Sequence, residues 1–231
     1  MTLDVRRVAR GAVLGSWAAF LGFLWVSGES ARYLGPRTYW VVPFGAAVLG
    51  AAAVAHLATA RTRAARGRIA LGEVAGMVAL VAPLLAVAVA PGAELGALAA
   101  SRKSSGAGVA AATLVPPDPG GDVSFAEVYY ASESSDYAAQ VGIRDGFQLE
   151  LTGFVSGADG APEDGFSLSR FYVSCCAADA IPYSVPVAAP RAYPVDAWVR
   201  VSGALEHRDG RWVLVADSVA RVPEPDRPYL Y

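Results

Sequence analysis

Two cysteines and two histidines in 231 residues leave little material for chemistry built on sulfur or imidazole. A single pair of cysteines excludes the multi-bridge framework that staples small secreted domains. Only one histidine, His207, lies outside the apolar segments, so a histidine-rich metal centre is excluded as well. Charge is also scarce: charged residues make up 17% of the chain against 54% hydrophobic, with a mean hydropathy of +0.37. That balance is too apolar for an ordinary soluble domain and too polar for an all-membrane bundle, so it points to a mixed protein. No P-loop, dinucleotide fingerprint or H-E-x-x-H is present, which removes the common nucleotide and zinc-protease readings. Beyond position 100 there are 10 basic and 17 acidic residues, the wrong sign for tracking phosphates, so no nucleic-acid partner is expected.

Acidic residues are nearly missing from the first part of the chain, where only Asp4, Glu29, Glu73 and Glu94 precede position 100. Three apolar runs occupy that part, at about 11–27, 38–60 and 71–90. Each is close to the ~20 helical residues that span about 30 Å of hydrocarbon. Their many Gly and Ala residues suit close helix packing in lipid better than helix stability in water. Residues 1–95 are therefore read as a transmembrane region of about three helices. The first run, preceded by Arg6, Arg7 and Arg10, also has the length of a signal peptide. No A-x-A-like cleavage site follows it, and it is read as retained. Arg61, Arg63, Arg66 and Arg68 make the loop between the second and third runs strongly positive. With the arginines before the first run, this places the N-terminus in the cytoplasm and, after three spans, the C-terminal domain outside it. A multi-pass protein of the cell membrane is expected.

Residues 96–122 carry Ser101-Arg-Lys-Ser-Ser-Gly and Pro116-Pro-Asp-Pro-Gly-Gly, and read as a juxtamembrane linker. The remainder, 123–231, reads as an all-β domain preceded by one or two short helices between Phe125 and Ile143. Alternation begins at Phe147, Leu149 and Leu151, and resumes from Phe166 to Val173. Ile181 to Val187 is a third strand, with Pro182 and Pro186 marking it as an edge or irregular one. Asp209-Gly210 supplies the positive φ angles of a tight turn joining two strands that start at Trp198 and Arg211. Five strands in so short a stretch predict a small OB-like barrel, with Gly153 and Gly203 at its bends.

Leu151-Thr-Gly-Phe-Val, Phe166-x-Leu-x-Arg-Phe-x-x-Ser-Cys-Cys-Ala-Ala-Asp-Ala, Trp198-Val-Arg-Val-x-Gly and Pro228-Tyr-Leu-Tyr resemble the YcgQ-like, or DUF1980, family of bacterial membrane proteins. Leu95-Gly-Ala-Leu-Ala-Ala-Ser-Arg is similar to the segment that follows the family's spans. The resemblance implies hydrophobic N-terminal spans followed by this soluble domain. It also implies an accessory role beside a multi-span permease, with links to metal ion homeostasis, and it implies no reaction. Its most specific motif surrounds the two cysteines.

Cys175 and Cys176 admit three readings from the residues alone. They are small core hydrophobes, ligands of zinc or another soft divalent metal, or a redox pair. As ligands they need a turn, because adjacent strand residues point to opposite faces; Asp179 is the nearest further donor, and a partner protein could supply those still missing. Arg170 is a candidate partner for Asp179 or for an anionic ligand. His56, ionisable and within the second apolar run, is a candidate for proton or ion handling. Glu73 is expected to pair with Arg66 or Arg68, and Asp159, Glu163 and Asp164 form a weak candidate for a hard cation. No catalytic constellation accompanies the cysteines, and the chain is not expected to be an enzyme. Two functions remain open: a membrane-embedded accessory to a multi-span permease, or an extracytoplasmic metal- or redox-sensing domain centred on Cys175 and Cys176.

Overall fold

Residues 2–62, 70–89, 95–103, 122–157, 161–189 and 193–231 are described by a computed structural model, which divides into two units, Met1–Glu94 and Leu95–Tyr231. Each unit is taken in turn.

The first unit is helical. Helix α1, Val5–Ser27, starts at Asp4, whose carboxylate accepts from the backbone N–H groups of Arg6 (3.1 Å) and Arg7 (3.3 Å). The helix thus begins six residues before the apolar run, because the cap, and not hydrophobicity, sets its start. It ends at Gly28, whose φ of 77° is the left-handed terminator glycine supplies. Helix α2, Val41–Ala58, packs on α1 through small residues: Gly15 faces Ala53, Gly50 faces Ala18, and a Cβ on Gly11 would lie 3.0 Å from Leu57. Two short strands, β1 (Thr2–Leu3) and β2 (Arg61–Thr62), pair antiparallel beside them. Helix α3, Leu71–Val89, contains Pro83, and the Trp17 indole donates to the Leu80 carbonyl in the preceding turn (3.0 Å).

Two helical stretches, Val5–Ser27 and Pro36–Ala58, are long and apolar enough to cross a membrane; the apolar part of α3, Leu71–Val87, is shorter. Neither long stretch resembles the buried core helix of a soluble protein. Phe23, Val26, Phe44 and Val54 are all more than half exposed, so an apolar surface faces outward. Glu73 pairs with Arg10 at 2.8 Å and Arg6 at 3.3 Å, both on α1. The expected partners Arg66 and Arg68 lie outside the described residues.

The second unit opens with helix α4, residues 97–103, within the segment read as linker. Ala97 and Ala100 are buried against Phe154, Phe171, Val173 and Tyr229, so this stretch belongs to the domain. Helices α5 (Phe125–Glu133) and α6 (Ser135–Gln140) follow, the former opened by a Ser124–Glu127 capping box. Strands β3 (Phe147–Ser156), β4 (Gly165–Tyr172), β5 (Ile181–Ala188), β6 (Trp198–Arg208) and β7 (Arg211–Arg221) close into a barrel in the order β3-β4-β5-β7-β6. All ladders are antiparallel except β5–β7, a Greek-key arrangement that fits the OB-like expectation.

Alternation places Leu151, Leu168, Val185, Val201 and Leu214 inside, all nearly or fully buried. Strand β5 pairs with β4 along its whole length but with β7 only at Val187 and Ala188. One of its edges is therefore mostly free of ladder, and this is how a closed barrel accommodates Pro182 and Pro186. Gly203 sits at a bulge in the β6–β7 ladder, where a Cβ would run into the Val215 carbonyl. Gly153 leaves room for the Phe125 ring of α5, which a Cβ would approach to 2.9 Å. Asp209 and Gly210 have φ of 48° and 78°, as the hairpin requires.

Candidate metal centre

Beyond Val173 the chain leaves the sheet and bends at Ser174 and Cys175 before a 3-10 turn, Ala177–Asp179. Asp179 builds this bend. Its Oδ1 accepts from the Ser174 N–H (3.1 Å), and its Oδ2 accepts from the N–H groups of Cys175 (2.8 Å) and Cys176 (3.3 Å). The backbone is thereby wrapped around one carboxylate, and adjacent cysteines that would diverge on a strand point the same way. Their Sγ atoms are 3.8 Å apart, and they are not joined in a disulfide. The two sulfurs and a carboxylate oxygen of Asp179 all lie within 4.8 Å of one another.

Cys175 is exposed and Cys176 half-exposed, which overturns the reading of the pair as core hydrophobes. The chain departs from the sheet just where they occur, so neither side chain can enter the barrel. The electrostatics follow from the hydrogen bonds. The Cys175 thiol is pushed up to about 11, first by its bond to Asp179 and next by Cys176. Burial opposes charge on Asp179. The hydrogen bonds from the Cys175 thiol and from the N–H groups of Cys175, Ser174 and Cys176 outweigh it and hold this carboxyl below the usual range.

The donors fit a tetrahedral thiophilic ion. Bonds of about 2.3 Å to two sulfurs 3.8 Å apart subtend about 110°, near the tetrahedral value of zinc. When Cys175 loses its proton it also stops donating to Asp179, so a sulfur charge and a carboxylate lone pair become available together. Three donors leave a fourth position for water or for a group from elsewhere.

The other candidates separate from this cluster. Arg170 does not pair with Asp179. Its guanidinium donates to the carbonyls of Arg227 (2.8 Å), Pro228 (3.1 Å) and Thr152 (3.3 Å), and it lies 5.9 Å from the centre of the Trp198 ring. Burial lowers its pKa, with Tyr231 acting in the opposite direction. Arg170 thus fastens the 227–231 segment, where Leu230 pairs with β4 through Leu230 N–H to Phe171 O (2.7 Å) and Val173 N–H to Leu230 O (3.0 Å). His207 packs its ring on Trp212 in the hairpin, 5.0 Å between centroids. His56 is half-buried in the last turn of α2. Glu163 and Asp164 form the turn before β4, and Asp159 lies outside the described residues.

One group near the centre had no sequence signal. Lys103, at the end of α4, donates to the carbonyls of Ala178 (3.1 Å) and Ala180 (2.8 Å), on either side of Asp179. A seven-residue helix whose buried alanines, Ala97 and Ala100, stand at i, i+3 is too short for periodicity to identify.

An apolar helical unit joined to a five-stranded closed barrel, with a paired-thiol loop at the end of one strand, defines the class. Residues 126–231 match the DUF1980 C-terminal domain model, a span that includes the barrel and the cysteine loop. This portion of the chain is thus a DUF1980 C-terminal domain, which supports the family assignment drawn from the motifs. No curated protein matches it in sequence.

Proposed function

We propose that this protein is a membrane-anchored accessory factor that binds a thiophilic divalent ion, zinc in the first instance, at Cys175, Cys176 and Asp179. The observation that carries this reading is the convergence of two sulfurs and a carboxylate within 4.8 Å on an exposed bend. A binding role is favoured over turnover because a thiol raised to about 11 is a poor nucleophile at neutral pH, whereas a metal ion can displace its proton. In this reading three helices span the membrane. Arg6, Arg7 and Arg10, with Arg61, Arg63, Arg66 and Arg68, keep their loops cytoplasmic, and the barrel faces outward.

Three small-residue-rich helices are few for a transport path but suited to association with other helices, and a multi-span permease concerned with metal homeostasis is the partner that fits. Zinc titration of the full chain in detergent tests the site. One equivalent should bind to the native protein and none to the Cys175→Ser, Cys176→Ser double variant; equal binding by both would remove the reading. Crosslinking in membranes tests the partner, which should be recovered as a multi-span protein, and recovery of this chain alone would count against it.

A second reading has its own support, since two accessible thiols 3.8 Å apart and not joined in a disulfide can act as a redox pair in an oxidising compartment. Mass spectrometry of protein taken directly from membranes separates the two: a mass lower by two hydrogen atoms, lost as two protons and two electrons to an oxidant of that compartment, marks the bridged pair, and retained zinc marks the metal site.

A further inference from the structure

Lys103 is the only lysine in the chain, where every other basic side chain apart from the histidines is arginine. Its ammonium is held by the Ala178 and Ala180 carbonyls at 3.1 and 2.8 Å, which bracket Asp179 in sequence. Ala180 also packs against Ala97 and Ala100 in the smaller core cluster, so α4 meets the donor loop through both an apolar contact and a charge-assisted one. The other end of α4 is fixed independently. The Ala97 N–H donates to Asp196 Oδ1 at 2.6 Å, and Asp196 holds an uncommon positive φ of 65°. Gly96 leaves room for this contact, since a Cβ there would press on the same carboxylate and force it to shift.

We propose that Lys103 is a positioning residue for the Cys175, Cys176 and Asp179 site, and that occupation of this site is coupled to the docking of helix 97–103. This rests on the metal reading above. The carboxylate stands on a turn whose flanking carbonyls Lys103 grips, so the spacing of the three donors depends on that grip. An ion that takes a carboxylate oxygen competes with the N–H groups of Ser174, Cys175 and Cys176 for it. The loop with ion and the loop without therefore differ in the carbonyl positions they offer Lys103, which is the differential interaction a coupling requires. By reciprocity, loss of Lys103 must alter ion affinity by the factor through which the ion alters docking of α4.

The test uses the full chain in detergent with zinc as the probe. Affinity is measured by chelator competition for the native protein, Lys103→Met and Lys103→Arg, together with amide hydrogen exchange across 97–103 with and without zinc. Lys103→Met should weaken zinc binding by about tenfold, since it removes two charge-assisted hydrogen bonds, and Lys103→Arg should retain most of the affinity. Zinc should change exchange in 97–103 of the native protein and leave it unchanged in the Cys175→Ser, Cys176→Ser variant. Unaltered affinity in a folded Lys103→Met protein, or exchange in 97–103 indifferent to zinc, overturns the coupling and leaves the metal reading standing. Should Lys103→Met not fold, the exchange measurement on the native chain decides alone. A native protein that binds no zinc overturns both.

Discussion

At Cys175 the position of one proton governs what the loop can do. Its thiol is held protonated by Asp179 and pushed up to about 11, so site-resolved alkylation should keep accelerating between pH 9 and 11. A plateau near pH 8.5, the ordinary cysteine value, would contradict the hydrogen bond. Zinc binding must expel this proton and should tighten as pH rises across the neutral range. Asp179 has the opposite sign: its carboxyl is held below the ordinary aspartate value of 3.8, so its grip on the bend is complete above that pH and is lost as pH falls through the depressed value. Exchange protection of the Ser174 to Cys176 amides should therefore survive to below pH 3.8 and then disappear. Arg170 acts at the same scale but on a different structure. Substituting Arg170→Leu leaves three carbonyls without their shared donor and should cost the domain about 2 kcal/mol in denaturant unfolding, with proteolysis beginning in 227–231. An unchanged midpoint would show that the segment is held by other contacts.

Among the elements, those with a period or a turn signal were legible in the sequence. Alternation from Phe147, from Phe166 and through the Asp209-Gly210 hairpin located five strands, and Gly203 was marked as a bend. The structure adds why: a Cβ at Gly203 meets the Val215 carbonyl across the bulge. Gly203→Val should accordingly destabilise the barrel by about 3 kcal/mol, while the same change at Gly157, where nothing lies within 4 Å, should cost far less. Equal effects would mean that the bulge does not depend on glycine. The elements that escaped sequence reading are those fixed by distant partners. Helix 97–103 has too few residues to show a period, and it exists because Asp196 and the Ala178 and Ala180 carbonyls hold its two ends. The start of α1 depends on the Asp4 cap and not on the apolar run. Of the site, Cys175, Cys176 and Asp179 could be named from residue chemistry, but their convergence could not. Whether adjacent cysteines point together depends on a bend that three N–H bonds to Asp179 create. That Arg170 holds backbone carbonyls and not Asp179 was not legible, because two of those carbonyls lie 57 and 58 residues away.

For the molecule as a whole, the account joins an apolar helical unit to a barrel whose core is complete without the metal loop. The donor bend is held by Asp179 and Lys103, so chelation of zinc should leave the unfolding midpoint of the barrel nearly unchanged, unlike domains that fold only around their metal. Orientation is testable through the same cysteines: a thiol reagent that cannot cross membranes should label Cys175 in intact cells if three spans place the barrel outside. Labelling only after lysis would put the barrel in the cytoplasm. The central claim is that two sulfurs and one carboxylate act as a single donor set. X-ray absorption at the zinc edge on the zinc-loaded full chain tests it most directly. The account predicts two sulfur ligands, with oxygen or nitrogen completing the shell. A shell without sulfur, or with a single sulfur, would contradict it.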